Sequence, residues 1–154
     1  MPGMFIDLHG PADTDALGQR LAQHLSPGAV VALIGPLGAG KTHLTRAIAV
    51  GLGIANPHVV TSPTFVLIQE YDARLPIFHF DAYRLTREAE FVELGVHEYY
   101  ERGGVCVIEW ADKVPAALPK ERLEVRINIT GAESRRVEVT GIGERYEKIA
   151  KLLQ

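Results

Sequence analysis

Short unbroken apolar runs alternate along this chain with helically spaced apolar sets, the pattern that builds a sheet with helices on its faces. Phe5, Ile6 and Leu8, in a short polar setting, predict an edge strand, and Thr14 to Leu25 predicts a helix carrying Ala16, Leu17, Leu21 and Leu25 on one face. Pro27-Gly28 interrupts. Ala29 to Ile34 is entirely apolar and rich in Val and Ile, the composition of a parallel strand buried on both faces. A Gly-rich stretch follows, and helical spacing resumes from Thr42 to Leu52 through Leu44, Ile48 and Leu52, stopping at Gly53.

Asn56-Pro57 breaks the chain again. The segments VVTSPTFVLIQEY and PIFHFDAY flank a turn at Asp72 to Leu75 and predict a hairpin. Thr86 to Arg102 predicts a single acidic helix with a solvated face. Gly103-Gly104 then opens VCVIEW, a second buried strand; LEVRINIT and RRVEVTG alternate as half-exposed strands, and Ile142 to Leu153 predicts a short amphipathic helix. No repeat or low-complexity stretch intervenes.

Composition narrows the picture. With 154 residues, 47% hydrophobic and 23% charged, the chain has the make-up of one globular domain spanning residues 1–154, able to form a core without disulfides or structural metal. Its single cysteine, Cys106, can form no intramolecular disulfide, which suits a reducing compartment. The opening residues show no basic and apolar leader pattern and no apolar run approaches 18 residues, so a cytoplasmic protein without membrane attachment is expected. The net charge of −3 argues against a protein that grips a nucleic-acid backbone unaided; any RNA would be held by a partner.

The sharpest chemical signal is Gly35-Pro36-Leu37-Gly38-Ala39-Gly40-Lys41-Thr42, which fits G-x-x-x-x-G-K-[ST]. The chain's own composition would produce only about 0.003 such matches by chance. The motif also lies where its physics requires it, between a buried strand and a helix. Glycines let the backbone N–H groups turn inward as an anion nest at the positive end of the helix. Lys41 adds a charge for the outer phosphates, and the Thr42 hydroxyl can ligate Mg²⁺. Gly35, Gly38, Ala39, Gly40, Lys41, Thr42 and His43 are therefore the expected nucleotide-binding residues, in a three-layer α/β fold of the P-loop NTPase kind with a central mixed sheet flanked by helices.

Such a site needs an acid to hold the metal or to orient water. Glu109 closes the apolar run Val105 to Ile108, and Asp81 closes IFHFD; each is a candidate for either role, or could simply cap a loop. Thr61-Ser62-Pro63-Thr64 places hydroxyls around a rigid proline and could be a switch segment that orders on the γ phosphate, or an ordinary turn. Arg84 could neutralise transition-state charge or pair with Asp81. Trp110 suits core packing or a nucleotide or partner contact. Cys106 suits a buried apolar position, and His79 lacks the second His or Cys pair that a zinc site would need. Thr14 and Arg136 are the candidates for adenine contacts.

GPLGAGKTHLTR, VTSPTFVLIQEY, IFHFDAYRL and VIEWADK, in this order and spacing, resemble the TsaE family across about Val30 to Lys113, with a similar first helix. The resemblance implies a small Mg²⁺-dependent ATPase of the tRNA threonylcarbamoyladenosine pathway, acting with TsaD and TsaB to support repeated threonylcarbamoyl transfer without being the transferase, and meeting tRNA only through that complex. It places Lys41 on the phosphates, Thr42 on Mg²⁺, the acidic positions at Asp81 and Glu109, and the SPTF segment at Ser62 to Phe65. Where the family often has Asp after the first loop glycine, this chain has Pro36, which removes a backbone N–H. Two other readings stand beside it: a small P-loop kinase, and a non-catalytic adaptor whose assembly follows ATP binding.

Overall fold

The computed structural model describes residues 3–63 and 67–153. Thr64 and Phe65, part of the expected switch segment, lie outside the described residues. The strands are β1 (Met4–Leu8), β2 (Val30–Ile34), β3 (Ile68–Tyr71), β4 (Ile77–Asp81), β5 (Val105–Glu109), β6 (Arg122–Ile129) and β7 (Arg135–Ile142); the helices are α1 (Pro11–Ala22), α2 (Lys41–Gly51), α3 (Glu88–Glu93), α4 (Val96–Tyr100) and α5 (Glu144–Leu152).

The described strands form a mixed seven-stranded sheet in the order β1-β7-β6-β2-β5-β4-β3. The central strands β6, β2, β5 and β4 run parallel, while β1 and β7 at one side and β3 at the other pair antiparallel. Every residue of β2, β4 and β5 is buried, as unbroken apolar runs require when helices cover both faces. Alternate residues divide between two cores. Val31, Leu33, Val105 and Val107 pack with Leu17, Leu21, Leu44 and Ile48 of α1 and α2. Val30, Ala32, Cys106 and Ile108 pack with Phe91 and Val96 of α3 and α4. This is the expected three-layer α/β arrangement. Among the described residues no helix is long and apolar enough to cross a membrane.

Local chemistry moves several boundaries. The first helix begins at Pro11, not Thr14, because proline suits the first turn and the Asp13 carboxylate accepts from the His9 N–H at 2.8 Å. Ala16 is exposed, and the inward position belongs to Gly18. The expected hairpin is present, with Ile68–Tyr71 as the described part of its first strand. The single helix expected over Thr86 to Arg102 is two, broken where Gly95 adopts the left-handed conformation (φ 81°). The shorter helices keep one buried apolar residue each, Phe91 and Val96.

Two predictions follow from this packing. A Cβ at Gly18 would collide with the Ala47 Cβ and the α2 backbone, so Gly18→Leu should destabilise the fold by about 1–3 kcal/mol, read as a lower urea midpoint. Burial pushes the Cys106 thiol up from 9.0 to about 12. The native chain then holds a proton that the unfolded chain gives up, so stability falls as pH rises between these values. Raising pH from about 8 to about 10 should lower the urea midpoint of the parent chain more than that of Cys106→Ala.

Candidate functional site

The carboxyl ends of three parallel strands meet at one place. From β2 the chain enters residues 35–40 and then α2; Asp81 ends β4, and Glu109 ends β5. Asp81 and Glu109 are register partners, so the two carboxylates stand side by side on one face of the sheet. Glycine is required in the loop for two reasons. Gly38 and Gly40 adopt φ 81° and 106°, and a Cβ on Gly35 would come within 2.6 Å of the Ile127 carbonyl.

Lys41 is buried, and its ammonium donates to the carbonyls of Gly35 at 2.7 Å and Pro36 at 2.8 Å. Pro36 thus serves the loop through its carbonyl, also accepting from the Ala39 N–H, and the missing proline N–H does not disrupt the turn. Burial draws the Lys41 pKa below its ordinary 10.5, opposed by the charges of Glu109, Asp81 and Asp112. The Trp110 ring lies 4.0 Å from the ammonium, and the Tyr83 ring packs against Trp110 with centroids 4.7 Å apart. Trp110 has a left-handed backbone (φ 59°), unusual for a bulky residue, and its half-buried ring belongs to the site as well as to the edge of the core.

The Thr42 hydroxyl lies 2.9 and 3.0 Å from the two Glu109 oxygens, to which it donates. Glu109 is only 2% exposed, and its second oxygen also meets Nε2 of the fully buried His79 at 2.5 Å. Asp81 has different partners: Ser62 Oγ donates at 2.6 Å and the Tyr83 N–H at 2.8 Å. Leu37, Gly38, Lys41, Thr42, Ser62, Glu109 and Trp110 line a common cleft of about 270 Å³. His43 borders it too, its ring held by Asp15 of α1 at 2.7 Å. Thr61 is exposed, and Thr64 lies outside the described residues.

A second groove, about 130 Å³, adjoins the loop between Thr14, Ala39, Gly40, His43, Ala132, Glu133 and Arg135. Thr14 is therefore beside the loop, but Arg136 is not: it binds Asp7 of β1, holding that carboxyl below its ordinary value. Its neighbour Arg135 points to the opposite face and donates to the carbonyls of Ala39 at 3.0 Å and Gly38 at 3.2 Å. The sequence signal was the alternation of β7, which fixes that these two arginines diverge without fixing which one faces the loop.

The donor set suits Mg²⁺ bound chiefly through phosphates. The Thr42 hydroxyl and the Glu109 carboxylate line the cleft, with Asp81 beside Glu109 in register, and among the described residues no group of three or more His, Cys, Asp or Glu forms a self-sufficient metal cage. His79 meets Glu109 and Tyr71. Its place two residues before Asp81 in a strand was the available sign that it shares the site's face.

This topology, with a Gly-rich loop at the carboxyl end of the central parallel strand, defines a P-loop NTPase-like α/β protein. The crystal structure of Bacillus subtilis YdiB superposes with a TM-score of 0.82 at 37% identity, covering 98% of this chain and 93% of that one. The family model "Threonylcarbamoyl adenosine biosynthesis protein TsaE" matches residues 8–137. The tRNA threonylcarbamoyladenosine biosynthesis protein TsaE of Bacillus subtilis (strain 168) is 43% identical over 144 residues, 93% of this chain and 89% of the relative. That of Streptomyces coelicolor is 42% identical over 140 residues, covering 84% and 91%. The chain belongs to the TsaE family of tRNA threonylcarbamoyladenosine biosynthesis proteins.

The arginine correction is directly testable. Removing two hydrogen bonds to loop carbonyls by Arg135→Ala should raise amide hydrogen exchange at Gly38 to Gly40 by about 10-fold, whereas Arg136→Ala should leave it unchanged.

Proposed function

We propose that this chain is the Mg²⁺-dependent ATP-binding and ATP-hydrolysing component of the threonylcarbamoyladenosine machinery, acting with TsaD and TsaB so that threonylcarbamoyl transfer can be repeated. The observation that carries the reading is the convergence of Lys41, Thr42, Glu109 and Asp81 at the loop. The N–H groups of the nest and the Lys41 ammonium receive the phosphates, while the groove at Thr14 and Arg135 extends the surface toward the nucleoside. Thr42 and Glu109, already hydrogen-bonded to each other, hold Mg²⁺. When bound, the ion neutralises charge developing on the phosphates.

Asp81 then takes the other acidic role. Its contacts with Ser62 and the Tyr83 N–H hold the carboxylate in place, a suitable arrangement for orienting water. The cleft is open and Leu37 at the loop tip is 72% exposed, so the isolated chain excludes little water and hydrolyses ATP slowly. Docking of the partners shields the cleft and speeds turnover. Contact with tRNA is indirect, as the net charge of −3 suits a protein that does not carry the RNA itself. A kinase reading gains nothing from residues 86–102: they form two short acidic helices on the far layer, and none of them lines the cleft.

Reconstitution of tRNA modification with TsaD and TsaB, with ATP consumption followed in parallel, tests this function. Adding the chain should raise the number of transfers per transferase and hydrolyse ATP faster than the chain alone. Lys41→Ala should weaken ATP binding by about 10–100-fold. Asp81→Asn should keep ATP affinity while slowing hydrolysis by about 10²–10⁴-fold. Full support of repeated modification by Asp81→Asn without hydrolysis would replace the ATPase reading with the adaptor reading.

A further inference from the structure

Behind Glu109 lies a hydrogen-bonded chain that none of the sequence motifs announces. His79 is fully buried in β4, with Nε2 at 2.5 Å from Glu109 Oε2 and Nδ1 at 3.0 Å from the Tyr71 hydroxyl of β3. The Tyr71 hydroxyl donates to Gln69 Oε1 at 2.5 Å. Burial pushes the Tyr71 phenol up to about 12, so it remains a neutral hydroxyl. The sequence of contacts is therefore Tyr71, His79, Glu109, Thr42, running from β3 to the first turn of α2.

The chemistry of each link limits what the chain can do. An ionised carboxylate only accepts hydrogen bonds, so His79 presents a proton on Nε2 to Glu109. That bond and the bond from Thr42 fix the carboxylate from two sides, leaving it little rotational freedom. The Tyr71 hydroxyl, 3.0 Å from Nδ1, gives the buried ring a second contact on its other nitrogen. Metal-holding groups are commonly oriented by such outer partners, whose loss typically costs 10–100-fold in metal affinity.

We infer that His79, held by Tyr71, is a positioning residue that sets Glu109 for the divalent ion. The inference deepens the proposed Mg²⁺–nucleotide site and rests on it.

The test measures Mn²⁺, in place of Mg²⁺, by electron paramagnetic resonance on the full chain with ATP, alongside ATP affinity without metal. His79→Leu removes the N–H donor, His79→Gln retains one at the end of a similar reach, and Tyr71→Phe removes only the hydroxyl. The expected result is a Mn²⁺ affinity about 10–100-fold weaker in His79→Leu, about 3–10-fold weaker in Tyr71→Phe and close to the parent in His79→Gln, with metal-free ATP affinity unchanged. Equal Mn²⁺ affinity in His79→Leu and the parent, or equal loss in both His79 variants, overturns the inference. If His79→Leu does not fold, Tyr71→Phe decides: unchanged affinity overturns it and a severalfold loss supports it. Failure of the parent chain to bind ATP and Mn²⁺ at all would instead remove the underlying site reading.

Discussion

A carboxylate buried at the end of an apolar strand is costly unless every oxygen has a partner, and Glu109 is buried to 2% exposure. The structure meets this constraint with a hydroxyl from the first turn of α2 and a ring nitrogen from the adjacent strand. Both donors arrive only if β2, β5 and β4 lie side by side and parallel, with α2 starting directly after the loop. The sheet order, the glycines that turn the loop and the position of Lys41 all answer to the same few ångströms around that carboxylate. Lys41 adds a second constraint of opposite sign: a buried ammonium finds two loop carbonyls and an aromatic face.

The two acids divide by their partners. Glu109 looks toward α2 and is fixed from behind by a fully buried histidine, whereas Asp81 looks toward the exposed Ser62. Each carboxylate is thus held by donors from a different part of the chain, Glu109 from α2 and β4 and Asp81 from residues 62 and 83. The family relationship says which pathway the chain serves; this asymmetry says how one small sheet could tie nucleotide state to the shape of its surface.

Much of this was legible in the residues. The all-apolar runs ending at Ile34 and Glu109 fix two strands buried on both faces, and the glycine spacing before Lys41 fixes what must follow the first. The apolar alternation of LEVRINIT and RRVEVTG likewise corresponds to β6 and β7, whose inward residues are buried. What was not legible depended on register or on a single backbone torsion. Helical spacing continues through Gly95, so nothing in the periodicity marks the left-handed break there. Arg135 and Arg136 are chemically identical, and only the pairing of β7 decides which one reaches the loop. His79 looked isolated because its partners Tyr71 and Glu109 lie 8 and 30 positions away along the chain and meet only through strand pairing. Trp110 was open between core packing and a site contact, and its left-handed backbone lets one ring pack at the core edge and lie over Lys41.

The central claim is that the loop and its neighbouring carboxylates form one site for a nucleoside triphosphate and a divalent ion. Calorimetric titration of the chain with ATP, first in chelator and then in Mg²⁺, addresses it most directly. The account predicts saturable one-to-one heat in both conditions, with tighter binding when Mg²⁺ is present. Heat no greater than dilution in either condition, with TsaD and TsaB supplied, would contradict it.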